Sequence, residues 1–327
     1  MTIGGTGKRP KPWASLSSPG ADQPGAHPSR PAEFYTMTLT LPNISSKLAE
    51  AGYVADRELA MALHLMDMLQ RPLLLEGEAG VGKTEVAKAL AAVHNTKLIR
   101  LQCYEGLDRA EALYEWNYQR QLLSIQARKA EGEKVNEDAI FSERYLLERP
   151  LLAAIRQPVS PVLLIDEVDR ADEEFEAFLL ELLSDFQVTI PELGTIKAKS
   201  IPRVILTSNG TREISDALRR RCLYHYVDYP DADREAAILQ RRLPNISAAF
   251  ALQIARTLEK IRKEDLRKVP GIAETLDWAT ALLGLNLKDL HTNPEAVFDS
   301  LMTLLKTQED KSRFTPEVAQ RILGKVA

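Results

Sequence analysis

Gly77-Glu78-Ala79-Gly80-Val81-Gly82-Lys83-Thr84 decides how the rest of this 327-residue chain is read. The stretch fits GxxxxGK[ST]. It follows the apolar run Leu73-Leu74-Leu75 and leads into Glu85 to Ala92, which reads as a helix. Strand, glycine-rich turn and helix in that order are the setting a phosphate-cradling loop requires. Glycines let successive backbone N–H groups turn inward on phosphate oxygens, and the start of the helix adds partial positive charge. Gly77, Glu78, Ala79, Gly80, Val81, Gly82, Lys83, Thr84 and Glu85 are therefore the expected nucleotide-binding residues. Lys83 is expected to reach the β- and γ-phosphates and the Thr84 hydroxyl to bind Mg2+. A glycine-rich turn without a ligand would account for neither the lysine nor the flanking strand and helix.

Working outward, Val162-Leu163-Leu164-Ile165-Asp166-Glu167 is an apolar strand ending in two carboxylates. Ligands of parallel sheets sit at the carboxyl ends of their strands. Asp166 is placed to hold Mg2+ through water, and Glu167 to polarise the attacking water. Thr207-Ser208-Asn209 ends the next expected strand and puts the Asn209 amide beside that pair, where it can orient water or merely cap a turn. Leu218-Arg219-Arg220-Arg221-Cys222 then sets three arginines before the last strand. A basic run is usually a solvated face. Its position here suggests an arginine finger offered to a neighbouring chain's nucleotide, because guanidinium groups stabilise transferring phosphoryl charge.

Strand-like segments at 73–75, 97–103, 161–165, 203–207 and 223–227, with 161–165 continuously apolar, alternate with helical segments, beginning with 55–70. That pattern predicts an α/β domain whose parallel sheet is covered on both faces. After Pro230 the strands stop. Helices are expected at 231–241, 246–268, 272–283, 294–306 and 316–325, the last two opened by Asn293-Pro294 and Thr315-Pro316. The expected domains are a core at 37–229 and a small helical domain at 230–327. The first 36 residues hold six of the 18 prolines and five of the 16 glycines without apolar periodicity, so they are expected to be disordered. Translation starting at Met37 is an alternative explanation of that segment. Its Lys8-Arg9-Pro10-Lys11 patch reads as a solvated tail.

The order of these features resembles the AAA+ ATPases. Asp166-Glu167-Val168-Asp169-Arg170 and Gln187-Val188-Thr189-Ile190-Pro191 resemble the MoxR branch, with Asp169 where an Asn is usual. Leu101-Gln102-Cys103-Tyr104-Glu105-Gly106-Leu107-Asp108 and Tyr114-Glu115-Trp116-Asn117-Tyr118 resemble the CoxD-like subgroup, relatives of NorQ and CbbQ proteins. The resemblance spans about residues 45–325. It implies a five-stranded AAA+ core, a helical lid, ATP and Mg2+ as ligands and a ring, expected to be a hexamer. It also implies remodelling or maturation of a metalloenzyme client with a von Willebrand A-domain partner. By position Arg221 matches the finger, with Arg220 the close alternative. Where the family carries a sensor arginine in the lid, this chain has Pro270-Gly271-Ile272-Ala273-Glu274-Thr275-Leu276, so Arg267 or Lys268 substitutes or the lid senses nucleotide less directly. Residues 187–199 read as a hairpin turning at Pro191-Glu192-Leu193-Gly194. Tyr114, Trp116 and Tyr118 alternate with period two, either as a substrate-gripping strip or as core packing.

Composition narrows the remaining classes. With 42 Lys+Arg against 46 Asp+Glu the net charge is −4, which disfavours a dedicated nucleic-acid binder. A DNA-directed motor or clamp loader is the runner-up, and a small-molecule P-loop kinase the third reading, disfavoured by the arginine run. Cys103 and Cys222 cannot make a disulfide framework, so a reducing cytoplasm is expected. No apolar run approaches the ~18–20 residues that cross a bilayer. His64, His94, His225 and His291 show no ligand spacing, and the basic pairs Arg262-Lys263 and Arg267-Lys268 read as a solvated helix face.

Overall fold

The computed structural model describes residues 41–132 and 137–324, together with Met1. The expectations of a disordered tail and of a start at Met37 lie outside the described residues. The chain opens with helices α1 (Leu41–Glu50) and α2 (Arg57–Leu69), then β1 (Leu73–Glu76), α3 (Lys83–Val93) and β2 (Leu98–Gln102). An excursion follows, comprising α4 (Arg109–Ala112), β3 (Tyr114–Trp116), α5 (Tyr118–Ala130), α6 (Glu137–Ile140), β4 (Leu146–Glu148) and α7 (Pro150–Ile155). The core closes through β5 (Val162–Asp166), α8 (Glu173–Asp185), the hairpin β6 (Gln187–Ile190) and β7 (Gly194–Lys197), β8 (Arg203–Ser208), α9 (Asp216–Arg221) and β9 (Leu223–Tyr226).

The five long strands form one sheet in the order β2-β5-β8-β1-β9, every neighbouring pair parallel. Alternation along each strand divides its residues between two cores. Leu73, Leu75, Leu164 and Ile205 pack with α1, α2 and α3, whereas Leu74, Leu163, Ile165 and Leu206 pack with α7, α8 and α9. Burial on both faces explains the apolar runs Val162–Ile165 in β5 and Val204–Leu206 in β8. Each such leucine or isoleucine contributes on the order of 1.5–3 kcal/mol. The expected parallel five-stranded sheet flanked by helices is thus present, and the 187–197 hairpin pairs Val188 with Ile196.

Only helices follow among the described residues: α10 (Ala232–Arg242), α11 (Ala248–Ile261), α12 (Ile272–Gly284), α13 (Pro294–Ser300), α14 (Gln308–Arg313) and α15 (Pro316–Leu323). They enclose a core of their own around Trp278, which is fully buried and donates its indole N–H to Ser300 Oγ at 2.8 Å. Asp231, Ser247, Asn293, Thr307 and Thr315 cap these helices with side-chain oxygens.

Several expectations fail here for identifiable reasons. The helix expected over 246–268 ends at Ile261. Arg262 instead turns inward, and its guanidinium makes a bidentate pair with Glu235 at 2.7 Å on both arms while Nε donates to Pro270 O. Both charged side chains are nearly fully buried, so Arg262 is no solvated residue; Lys263 is. The helix expected over 294–306 stops at Ser300 and tightens into a 3-10 turn at Leu301–Thr303. Tyr114 and Trp116 lie on β3, but Tyr118 begins α5, so the three do not form one strip. Trp116 is buried edge-on against Phe141, which makes it core packing, and Tyr118 is exposed.

Candidate active site

The loop after β1 is shaped by backbone crowding. A Cβ on Gly77 would lie 2.2 Å from Val227 O, because the chain leaving β9 passes directly over it. Gly80 meets Gly271 at the start of α12 just as closely, with an added Cβ on Gly271 falling 2.7 Å from Gly80 Cα. Ile272 N–H donates to Gly80 O at 2.9 Å, so the start of α12 rests on the loop itself. The Glu235–Arg262 pair and Thr275, whose hydroxyl donates to Glu235 at 2.8 Å, hold α12 in that position from below.

Lys83 is buried, and its ammonium spends all three donors: on Gly77 O at 2.6 Å, Glu78 O at 2.8 Å and Asn209 Oδ1 at 2.8 Å. Burial pushes its pKa below the ordinary lysine value, against the pull of the Asp169, Asp166, Glu78 and Glu167 carboxylates. Asn209 therefore sits beside the loop as well as beside β5. Its Nδ2 amide has no protein partner among the described residues. Thr84 Oγ1 lies 3.2 Å from Asp166 Oδ1, bringing the two expected metal-holding residues together.

Glu167 follows Asp166 with φ 55° and ψ 49°, a left-handed conformation unusual for a residue with a long side chain. Its N–H donates to Thr207 Oγ1 at 2.9 Å, and its carboxylate pairs with Arg170 at 3.2 Å while staying partly exposed. Asp169 is buried, and its Oδ2 accepts from the Thr211 hydroxyl and amide and from the Asn209 amide. Burial alone would raise the Asp169 pKa, but those donors outweigh it and hold the group below the usual carboxylate range. An acidic residue at 169 thus ties down the turn that carries Asn209.

A cleft of about 490 Å³ opens between the sheet and the C-terminal helices. Ala79 to Glu85, Asp166, Glu167, Thr207 and Asn209 form one wall. Tyr53, Val54, Ile238, Ile272 and Leu276 supply an apolar end. Gly77 and Glu78 contribute through their carbonyls rather than by lining the cleft. Arg267 and Lys268 do not line it either: the Arg267 side chain is exposed, 3.9 Å from Glu309. The cations reaching the cleft from α10 are Arg234, paired with Asp56 at 2.7 Å, and Arg242, paired with Glu85 at 2.9 Å. Sequence reasoning missed both, since they arise from α10 and not from the segment before α12.

The arginine run divides. Arg219 is used within the chain, pairing with Glu76 at 3.0 Å and lying over the Tyr224 ring. Arg220 and Arg221 are exposed, make no side-chain hydrogen bond or ion pair among the described residues, and stay out of the cleft. Their backbone is fixed by Arg71, whose guanidinium bonds the carbonyls of Arg220 at 2.6 Å and Arg221 at 3.3 Å.

Residues 72–222 match the family described as AAA domain, dynein-related subfamily. An uncharacterized protein of Staphylococcus haemolyticus is 30% identical over 234 residues, covering 68% of this chain and 79% of the relative. The chain belongs to this AAA family. An uncharacterized protein of Staphylococcus aureus (strain bovine RF122) is 29% identical over 235 residues, with the same coverage. Among solved structures, the Holliday junction branch migration motor RuvB of Thermotoga maritima aligns over 78% of this chain and 69% of its own, at 20% identity and TM-score 0.40. No helix among the described residues of this AAA protein is long and apolar enough to cross a membrane.

One further property of the AAA core concerns its thiols. Burial pushes the pKa of Cys103 and of Cys222 up to about 12, with the Asp166, Asp169 and Glu167 carboxylates adding to the effect at Cys103. Thiolate is the reactive form, so at about pH 8 neither cysteine should react with a soluble aromatic disulfide in the folded chain. Both should react in denaturant; rapid reaction of the native chain would contradict the burial described here.

Proposed function

We propose that this AAA protein is an Mg2+-dependent ATPase whose catalytic site is completed by a neighbouring chain in a ring, and that hydrolysis remodels a client protein. The carrying observation is the convergence of Lys83, Thr84, Asp166, Glu167 and Asn209 on one cleft while Arg220 and Arg221 stand free outside it. The cleft suits a nucleoside triphosphate: the crowded glycine loop and the Lys83 ammonium face one end, and the apolar side chains of Tyr53, Val54 and Ile238 give a base somewhere to pack. The donor set also fits a hard divalent cation, since a buried carboxylate lies beside a hydroxyl.

Thr84 and Asp166 would hold the Mg2+, which when bound neutralises charge on the transferring phosphoryl group. Lys83 exchanges one of its carbonyl partners for phosphate oxygens. Glu167 accepts a proton from, or polarises, the attacking water, and the free Asn209 Nδ2 orients that water. Arg221, or Arg220 beside it, reaches a neighbour's site, held in register by Arg71. The proposed domain limits are 37–229 and 230–327, a reading that the change from sheet to helices after β9 supports. Six subunits, a metalloenzyme client and a von Willebrand A-domain partner, as in the MoxR and CoxD-like proteins that the sequence resembles, are the finer form of this proposal. The proposed location is the cytoplasm, with no nucleic-acid ligand.

Phosphate release per chain, measured across a wide range of protein concentration with Arg220→Ala and Arg221→Ala alongside, tests it. Turnover per chain should rise with concentration and require Mg2+. One arginine variant should lose turnover while still binding ATP. Concentration-independent turnover with both variants active would overturn the shared site.

A further inference from the structure

Asp166 carries a partner that no sequence motif indicates. Arg100 lies on β2, whose register sets Gln102 opposite Asp166, so Arg100 is two residues back on the same face of the sheet. Its side chain reaches forward and donates twice to Asp166 Oδ2, from Nε at 3.0 Å and from Nη2 at 2.5 Å. Gln102 Oε1 accepts from the same Nη2 and steadies it. Asp166 Oδ1 meanwhile accepts from Thr84 and Thr207. The carboxylate is nearly fully buried, whereas the Arg100 side chain is half exposed.

Each carboxylate oxygen offers two lone pairs, and on Oδ2 the two shortest contacts are those of Arg100, with the Thr84 hydroxyl farther off at 3.4 Å. We propose that Arg100 is a positioning residue of the divalent-metal site, and that it leaves Asp166 Oδ2 when the metal ion is taken up, so that metal binding is a cation exchange. Two cations on one carboxylate repel each other in a partly buried site. The buried carboxylate cannot cheaply stand without a positive partner. The guanidinium, being half in water, can leave at small cost. Arg100 thus keeps the Asp166 carboxylate aimed and charge-compensated until a divalent ion replaces it. The inference rests on the nucleotide-site reading above and adds the competing partner of its metal-holding carboxylate.

Mn2+ with ADP is the probe, with free Mn2+ counted by electron paramagnetic resonance on the full chain, parent and Arg100→Gln. ADP binding in EDTA and melting curves are recorded in parallel. If Arg100 holds the carboxylate about nine-tenths of the time, its removal should lower the half-saturating Mn2+ concentration roughly tenfold. Arg100→Gln should also melt at a lower temperature in EDTA, and Mn2+ with ADP should recover more of the loss than in the parent. A residue with only a structural role would lower the melting temperature without tightening metal binding. Unchanged or weakened Mn2+ binding overturns the exchange. Should Arg100→Gln fail to fold, Arg100→Lys decides: lysine keeps the charge without the two-pronged grip, so half-saturation must still fall, and no fall overturns the proposal. If the parent binds ADP in EDTA but takes up no Mn2+, the inference fails together with the metal-holding role of Thr84 and Asp166, while nucleotide binding stands. Where the parent takes up Mn2+ and Arg100→Gln does not tighten it, the inference fails alone. If the parent binds neither, the nucleotide reading fails with it.

Discussion

Glu167→Gln chains are expected to bind ATP as tightly as the parent and to turn it over at least ~100-fold more slowly. The substitution keeps the shape of the side chain and removes only its capacity to accept a proton or polarise water. The carboxylate stands at the carboxyl end of β5, where a fully buried strand gives way to a residue at φ 55°. Such a backbone costs on the order of 1–3 kcal/mol and persists only where its surroundings impose it. Here the imposing contacts are the Thr207 hydroxyl on the Glu167 amide and the adjoining turn that carries Arg170. The outcome is that Glu167 faces the cleft while its neighbour Asp166 is buried. Steady-state phosphate release paired with equilibrium ATP binding separates the two properties. A Glu167→Gln rate within tenfold of the parent would remove Glu167 from the chemistry.

Lys83→Ala acts at the earlier step. ATP affinity is expected to fall by roughly 100-fold or more, since charge-assisted hydrogen bonds in a partly dry site are worth up to about 3 kcal/mol each. The fold should survive, because Lys83 itself lines the cleft, so water can enter the space its side chain leaves and reach its three former acceptors. Calorimetric titration with ATP reads the effect directly. Affinity within threefold of the parent would mean that the 77–84 loop cradles no phosphate. The two variants also bracket each other: one should spare binding and lose turnover, the other should lose binding.

The sequence made the loop and the two carboxylates legible for a physical reason. A phosphate cradle needs contiguous residues in a fixed order, and a doubly covered strand must be apolar until it ends. Gly77, Lys83, Asp166 and Asn209 all announce themselves in that way. The hairpin at 187–197 was legible through its turn residues. What stayed hidden came from packing between segments distant in the chain. Arg100, Arg234 and Arg242 look like ordinary surface cations in a run of text; only the β2–β5 register brings Arg100 to Asp166, and only the seating of α10 brings Arg234 and Arg242 to the cleft. Arg262 reads as part of a basic face until Glu235 is placed opposite it. Helix α14 carried a readable signal, since Thr307 and Asp310 have the spacing of a capping pair, and Thr307 Oγ1 does accept from the Asp310 amide. The false continuation of α11 to residue 268 reflects apolar periodicity that tertiary pairing of Arg262 overrides.

Family membership gives the core its kinship, and the geometry gives it a cleft. What joins them into one mechanism is the claim that each site borrows an arginine from another chain. Mixing measures this most directly. Glu167→Gln chains retain their fingers but cannot hydrolyse, while Arg221→Ala chains, or Arg220→Ala chains if that variant is the inactive one, retain the catalytic carboxylate but lack a finger. Each preparation alone should be nearly inactive. Combined in equal amounts, they should recover phosphate release, because some interfaces then pair an intact carboxylate with an intact finger. No recovery in mixtures shown by light scattering to have assembled together would contradict the shared site.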